Sequence, residues 1–123
     1  MKNVVRREES INKQYLGVDF LVLAVGKDTM VTKMLYKETD FVPFHKHPNE
    51  QSGYVISGKY KLRFDNNEYL LSEGDSYSIP SNIEHSIQII EGGEVIDTFS
   101  PIRQDYLWLN SIPNFVNFIH TFN

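Results

Sequence analysis

Three histidines and one glutamine, His45, His47, Gln51 and His85, are the residues whose types and spacing point most directly to chemistry. The first three lie in F-H-K-H-P-N-E-Q, from Phe44 to Gln51. Residues two apart on an extended chain point to the same side. His45 and His47 are thus expected to face one ion while Lys46 faces away, and Gln51 keeps the same parity. His85 arrives from a separate segment, S-I-P-S-N-I-E-H. Imidazole is the commonest protein ligand for metals and suits Zn, Cu, Fe and Ni. Three neutral imidazoles and a neutral amide leave a divalent ion its full charge. Such an ion acts as a Lewis acid on a bound hydroxyl or carbonyl. Glu50 competes with Gln51 for the fourth position.

A second group lies toward the C-terminal end. Asp97 shares a strand face with Val95 and Phe99. A carboxylate aimed into an apolar interior is costly without a partner; acid–base work is one reason to keep it there, a structural hydrogen bond the other. Arg103 has the planar fork that suits a substrate carboxylate, or it forms a surface salt bridge with Asp105. Phe99 reads as an apolar wall of a pocket or as core. Tyr36, Tyr54 and Tyr77 are candidate hydroxyl donors inside the fold. Glu84 is expected to point outward by alternation, and His120 to be a surface or interface residue.

The elements that must position these groups read as mostly β. Val18–Val25 and Met30–Lys37 are apolar, β-branched runs split by G-K-D-T. In K-Y-K-L-R-F, Tyr60, Leu62 and Phe64 alternate with Lys59, Lys61 and Arg63, the pattern of a half-buried antiparallel strand. Asp65-Asn66-Asn67 and S-E-G-D are turns. Ser76–Ile79 is a short strand ending at Pro80. His85–Ile90 and Val95–Ser100 flank Glu91-Gly92-Gly93-Glu94, a hairpin signal. Some eight short strands with regular turns predict an all-β closed barrel or jelly roll. The last residues are aromatic, and Phe115, Phe118, Ile119 and Phe122 recur at helical spacing. They predict a short helix over 114–122 that caps the barrel or buries a subunit contact.

Composition narrows the function classes. The chain has 123 residues, the size of one domain, no cysteine and a formal net charge of −4. Thiolate chemistry and disulfides are excluded, and the negative charge argues against a nucleic-acid partner. No apolar run reaches the length of a bilayer span, and the charged start, M-K-N-V-V-R-R-E-E-S, lacks the apolar stretch of a signal peptide. A cytoplasmic location without membrane association is the expectation.

At two places the residues resemble the cupin family. Its first motif, G-x5-H-x-H-x3,4-E-x6-G, is similar to His45-x-His47-x3-Gln51-x6-Gly58, with Thr39 for the first glycine and Gln51 for the carboxylate. The distance to Gly58 favours Gln51 over Glu50. The second, G-x5-P-x-G-x2-H-x3-N, is similar to Gly74-x5-Pro80-x-Asn82-x2-His85, with Asn82 for glycine and Ile89 for the last asparagine. Asn is the best substitute for glycine in the left-handed conformation. The resemblance implies a double-stranded β-helix (jelly-roll) barrel over residues 16–107, between an N-terminal arm (1–15) and an aromatic C-terminal tail (108–123).

A narrower resemblance rests on E-Q-x-G-Y-V-I-S-G-K and on Asp97-x-Phe99-x-Pro101-x-Arg103-x-Asp105-Tyr106-Leu107. These look like the small cupins of pectin and alginate breakdown, which open the ring of 4,5-unsaturated uronates to a keto-aldehyde acid. The resemblance implies His45, His47, Gln51 and His85 as ligands of one divalent transition metal (Ni, Zn, Mn, Fe or Co). It places Asp97, Phe99 and Arg103 in the substrate pocket, implies a sugar acid as the small-molecule partner, and suggests a homodimer. A cupin dioxygenase and a non-catalytic sugar- or metabolite-binding cupin are the alternatives.

Overall fold

Alternating burial organises the chain into two antiparallel sheets whose apolar faces meet. The computed structural model describes residues 2–109. Among these are ten strands: β1 (Ile11–Tyr15), β2 (Val18–Val25), β3 (Met30–Tyr36), β4 (Phe41–His45), β5 (Glu50–Val55), β6 (Lys59–Phe64), β7 (Asn67–Leu71), β8 (Ser76–Ile79), β9 (His85–Glu91) and β10 (Gly93–Ser100). A single turn of 3-10 helix, Arg7–Glu9, precedes them, and a short helix, α1 (Gln104–Trp108), follows. One sheet runs β1-β2-β3-β10-β5-β8, the other β4-β9-β6-β7. This is the jelly-roll architecture read from the sequence.

The pleat explains the core. On β2, Val18, Phe20 and Val22 face inward; on β6, Tyr60 and Leu62; on β10, Val95, Asp97 and Phe99. Burying a side chain such as Phe20 or Leu62 stabilises the fold by about 1.5–3 kcal/mol. The alternate residues of β6 stay outside, where Lys59 pairs with Glu91, and Lys61 and Arg63 both pair with Glu68. Turn chemistry follows the residues that tolerate positive φ. Asp65 (53°) and Asn66 (60°) close the β6–β7 hairpin, and Asn82 (62°) turns the chain between β8 and β9.

Several boundaries differ from the sequence reading. β1 lies within the stretch expected as an arm, and all five of its residues pair with β2. Its short, polar sequence carries little apolar alternation; the pairing comes from the tight turn at Leu16-Gly17, both at positive φ. β3 ends at Tyr36, because the Lys37 amide turns to the Asp40 carboxylate. Helix α1 is too short to show a period of its own. The helix expected over 114–122, and His120, lie outside the described residues.

Candidate metal centre

His45 and His85 stand opposite each other on adjacent strands, in register across β4 and β9. Their rings are 4.2 Å apart. His47 is not on a strand: β4 ends at His45, and His47 lies in the connection to β5. Strand parity is therefore not what brings it in. The loop is held from two sides instead. The Asn82 amide donates to the His47 carbonyl (2.8 Å), so the turn before β9 carries the His47 loop. Asn49 donates through Nδ2 to the carbonyls of Pro101 (2.6 Å) and Ile102 (3.2 Å), tying the loop to the end of β10. Asn49 escaped sequence reasoning, since a loop asparagine has no local signature for such distant partners.

Each imidazole is oriented by a backbone carbonyl. Nδ1 of His45 meets Pro43 O, that of His47 meets Asn49 O, and that of His85 meets Ile83 O, each at 2.9 Å. A carbonyl only accepts, so each Nδ1 carries the proton and each Nε2 presents a lone pair. The ligating atoms of the three residues lie within 4.8 Å of one another. His85 is 1% exposed, and its Nε2 has no hydrogen-bond partner among the described residues. A buried lone pair without a partner is costly and is what an imidazole awaiting a cation looks like. Burial holds the His85 imidazolium off, lowering its pKa to about 4, with His45, His47 and Arg103 opposing the charge further. Burial likewise lowers that of His47. Both imidazoles are neutral at neutral pH.

Gln51 is 5% exposed while Glu50 faces solvent. Gln51 Oε1 lies 3.1 Å from His47 Nε2. With the proton of His47 on Nδ1, that contact sets two lone pairs face to face, which a cation between them relieves. The donor set therefore fits a divalent transition metal: three imidazole nitrogens and one amide oxygen.

Asp97 sits deeper, 2% exposed, on the central strand β10. It accepts from the Tyr77 hydroxyl at 2.5 Å. Desolvation raises its pKa to about 6, against the pull of Tyr77, Gln51 and the Arg103 charge. Asp97, Gln51, His45, Tyr36 and Tyr106 line one narrow cavity of about 30 Å³, with Tyr15 and Leu16 from the β1–β2 turn also on its wall. Of the three tyrosines considered as inner donors, Tyr36 and Tyr77 point inward and Tyr54, 51% exposed, does not. Glu84 is on the outside.

Phe99 is buried, its ring edge-on to His47 (5.8 Å) and to Tyr106 (5.6 Å). It buttresses the His47 ring. Arg103 is 4% exposed, so the surface reading of its salt bridge is corrected. The pairing with Asp105 is present, Nε to Oδ1 at 2.9 Å and Nη2 to Oδ2 at 2.6 Å. The guanidinium also stacks 3.9 Å from the Tyr106 ring centroid. Stacking and pairing together fix a positive charge whose field reaches His47 and Asp97.

Two face-to-face antiparallel sheets carrying imidazoles from β4, β9 and the loop before β5 define a class, and the chain belongs to the cupin family. Residues 33–97 match the cupin domain. Among curated proteins, it is 30% identical over 93 residues to the pectin degradation protein KdgF of Dickeya dadantii (strain 3937), covering 74% of this chain and 84% of that one. Among solved structures, an RmlC-like cupin from Shewanella frigidimarina superimposes with a TM-score of 0.79 at 26% identity, covering 86% of this chain and 96% of that one. KdgF from Halomonas sp. does so with a TM-score of 0.76 at 25% identity, covering 85% and 98%. The chain thus resembles the cupins of pectin degradation.

Proposed function

We propose that this protein is a metal-dependent enzyme that opens the ring of 4,5-unsaturated uronates. The observation that carries the reading is the juxtaposition of a three-imidazole cluster with a buried carboxylate, His45 of the cluster and Asp97 lining the same cavity. Similarity to two KdgF proteins supports the substrate class. His45, His47, His85 and Gln51 hold the ion. When bound, it supplies Lewis-acid polarisation of substrate oxygens.

The chain's own groups handle the proton. The hydroxyl on C1 of the uronate loses its proton, the bond from C1 to the ring oxygen breaks, and C1 becomes an aldehyde. The oxygen stays on C5 as an enolate, and the proton taken from the C1 hydroxyl, delivered to C4, leaves a ketone at C5. Nothing is oxidised, and the proton balance closes within the site. Asp97, with a pKa near neutrality, can take the first proton and return it at C4. Arg103, clamped by Asp105, favours an anionic substrate through its fixed charge. Phe99 keeps His47 in place.

The test is keto-acid formation from unsaturated galacturonate by the metal-reconstituted protein. Acceleration over spontaneous opening, lost in Asp97→Asn, is the expected result. No acceleration with metal bound overturns the proposal.

A further inference from the structure

The departure of Gln51 from a carboxylate ligand has an explanation one row deeper in the barrel. Tyr77, Gly53, Asp97 and Thr32 face one another in register across β8, β5, β10 and β3. Ile79, Gln51, Phe99 and Met30 form the next inward-facing row. Gln51 is thus diagonal to both Tyr77 and Asp97, within reach on the pleat. Gly53 has no side chain between them. A Cβ there would stand 2.2 Å from the Tyr77 ring and 2.5 Å from Asp97 Oδ1. The missing side chain is the opening through which the Tyr77 hydroxyl meets the carboxylate.

The Gln51 side chain has two ends. Its oxygen faces His47. Its amide is its one donor, and the diagonal neighbours Asp97 and Tyr77 are oxygen acceptors within its reach on the pleat, Asp97 sharing its cavity. A carboxylate acts only as an acceptor when ionised, so one at position 51 would serve a metal but confront Asp97 with a like charge.

We infer that Tyr77, Asp97 and Gln51 form a hydrogen-bonded relay that aims the amide oxygen at the metal, with Tyr77 a positioning residue and Gly53 the space that admits it. The relay makes Asp97 the reason that position 51 is an amide. It rests on the metal reading of the histidine cluster and is independent of which substrate the site takes.

The test uses the full chain and Co(II) alone, with Kd measured against a competing chelator and the visible spectrum recording the ligand set. Tyr77→Phe is expected to weaken Co(II) binding by about tenfold, as loss of a group behind a ligand does. Gln51→Glu by itself is expected to bind no tighter than the wild type despite its added negative charge. Adding Asp97→Asn, which supplies the donor the carboxylate lacks, is expected to improve on Gln51→Glu by at least about tenfold. This rescue is a coupling that independent sites do not show. It should also return the Co(II) spectrum to an ordered single-species form, which a general loosening of the fold does not do. Tighter binding by Gln51→Glu alone, or effects of the two substitutions that simply multiply, overturns the relay. If Tyr77→Phe fails to fold, the Gln51 and Asp97 cycle still decides. No Co(II) binding by the wild type overturns the metal centre itself, a failure distinct from loss of coupling.

Discussion

Replacing Asp97 with asparagine isolates the energetic consequence of burying a carboxylate beside the histidine cluster. In the metal-free protein, burial raises the Asp97 pKa from 3.8 to about 6. The folded state therefore holds the proton more tightly than the unfolded chain does. The stability linked to this group is fully present below the unfolded pKa and is lost as pH rises through the folded one. A difference of about two pKa units corresponds to about 3 kcal/mol. The Asn oxygen can still accept from Tyr77, and any cost of its new amide is independent of pH. The comparison is therefore the pH dependence of the difference, not its absolute value. With chelator present, urea unfolding of both proteins from pH 4 to pH 8 is expected to show Asp97→Asn gaining on the wild type by about 2–3 kcal/mol across that range. His85 works in the opposite sense: its pKa is depressed to about 4, so its stability contribution is lost as pH falls. It is common to both proteins and cancels. Parallel stability–pH curves for the two proteins would refute the reasoning.

Other consequences follow from the same geometry. A divalent metal at one hundred times its Kd is expected to stabilise the apo protein by about 2.7 kcal/mol, a gain absent in His47→Ala and measurable as a shift in thermal unfolding. Gly53→Ala drives a Cβ into the Tyr77 ring and Asp97 and is expected to cost about 3 kcal/mol, read by urea unfolding. Asn82, at φ 62°, is expected to tolerate glycine, whereas Asn82→Val should cost about 1–2 kcal/mol and weaken metal binding, because this turn holds the His47 loop. Phe99→Ala is expected to cost about 3–5 kcal/mol and, by freeing the His47 ring, to weaken metal binding in the same titration.

Much of the β architecture was legible because alternation leaves its mark on local sequence. Lys59–Phe64 shows it residue by residue, and Asp65-Asn66 and Asn82 sit where left-handed backbone is needed. β1 was not legible. Its partner, β2, and not any pattern in Ile11–Tyr15, makes it a strand. The chemical types at the candidate site were also on the page: three imidazoles, an amide near Glu50, and an inward carboxylate at Asp97.

What the amino-acid order alone determined was which groups have lone pairs to offer and which face of each strand they take, since both depend on residue type and a period of two. Only the tertiary structure decided how those groups meet. His47 reaches the cluster through a loop tied down by Asn82 and Asn49. Arg103 is spent on Asp105 and Tyr106 within the fold. Tyr77 finds Asp97 only because Gly53, on the strand between them, leaves room. The contacts of Asn82, Asn49 and Tyr77 join residues far apart in the chain, so their energies depend on register and packing that no local stretch of sequence encodes.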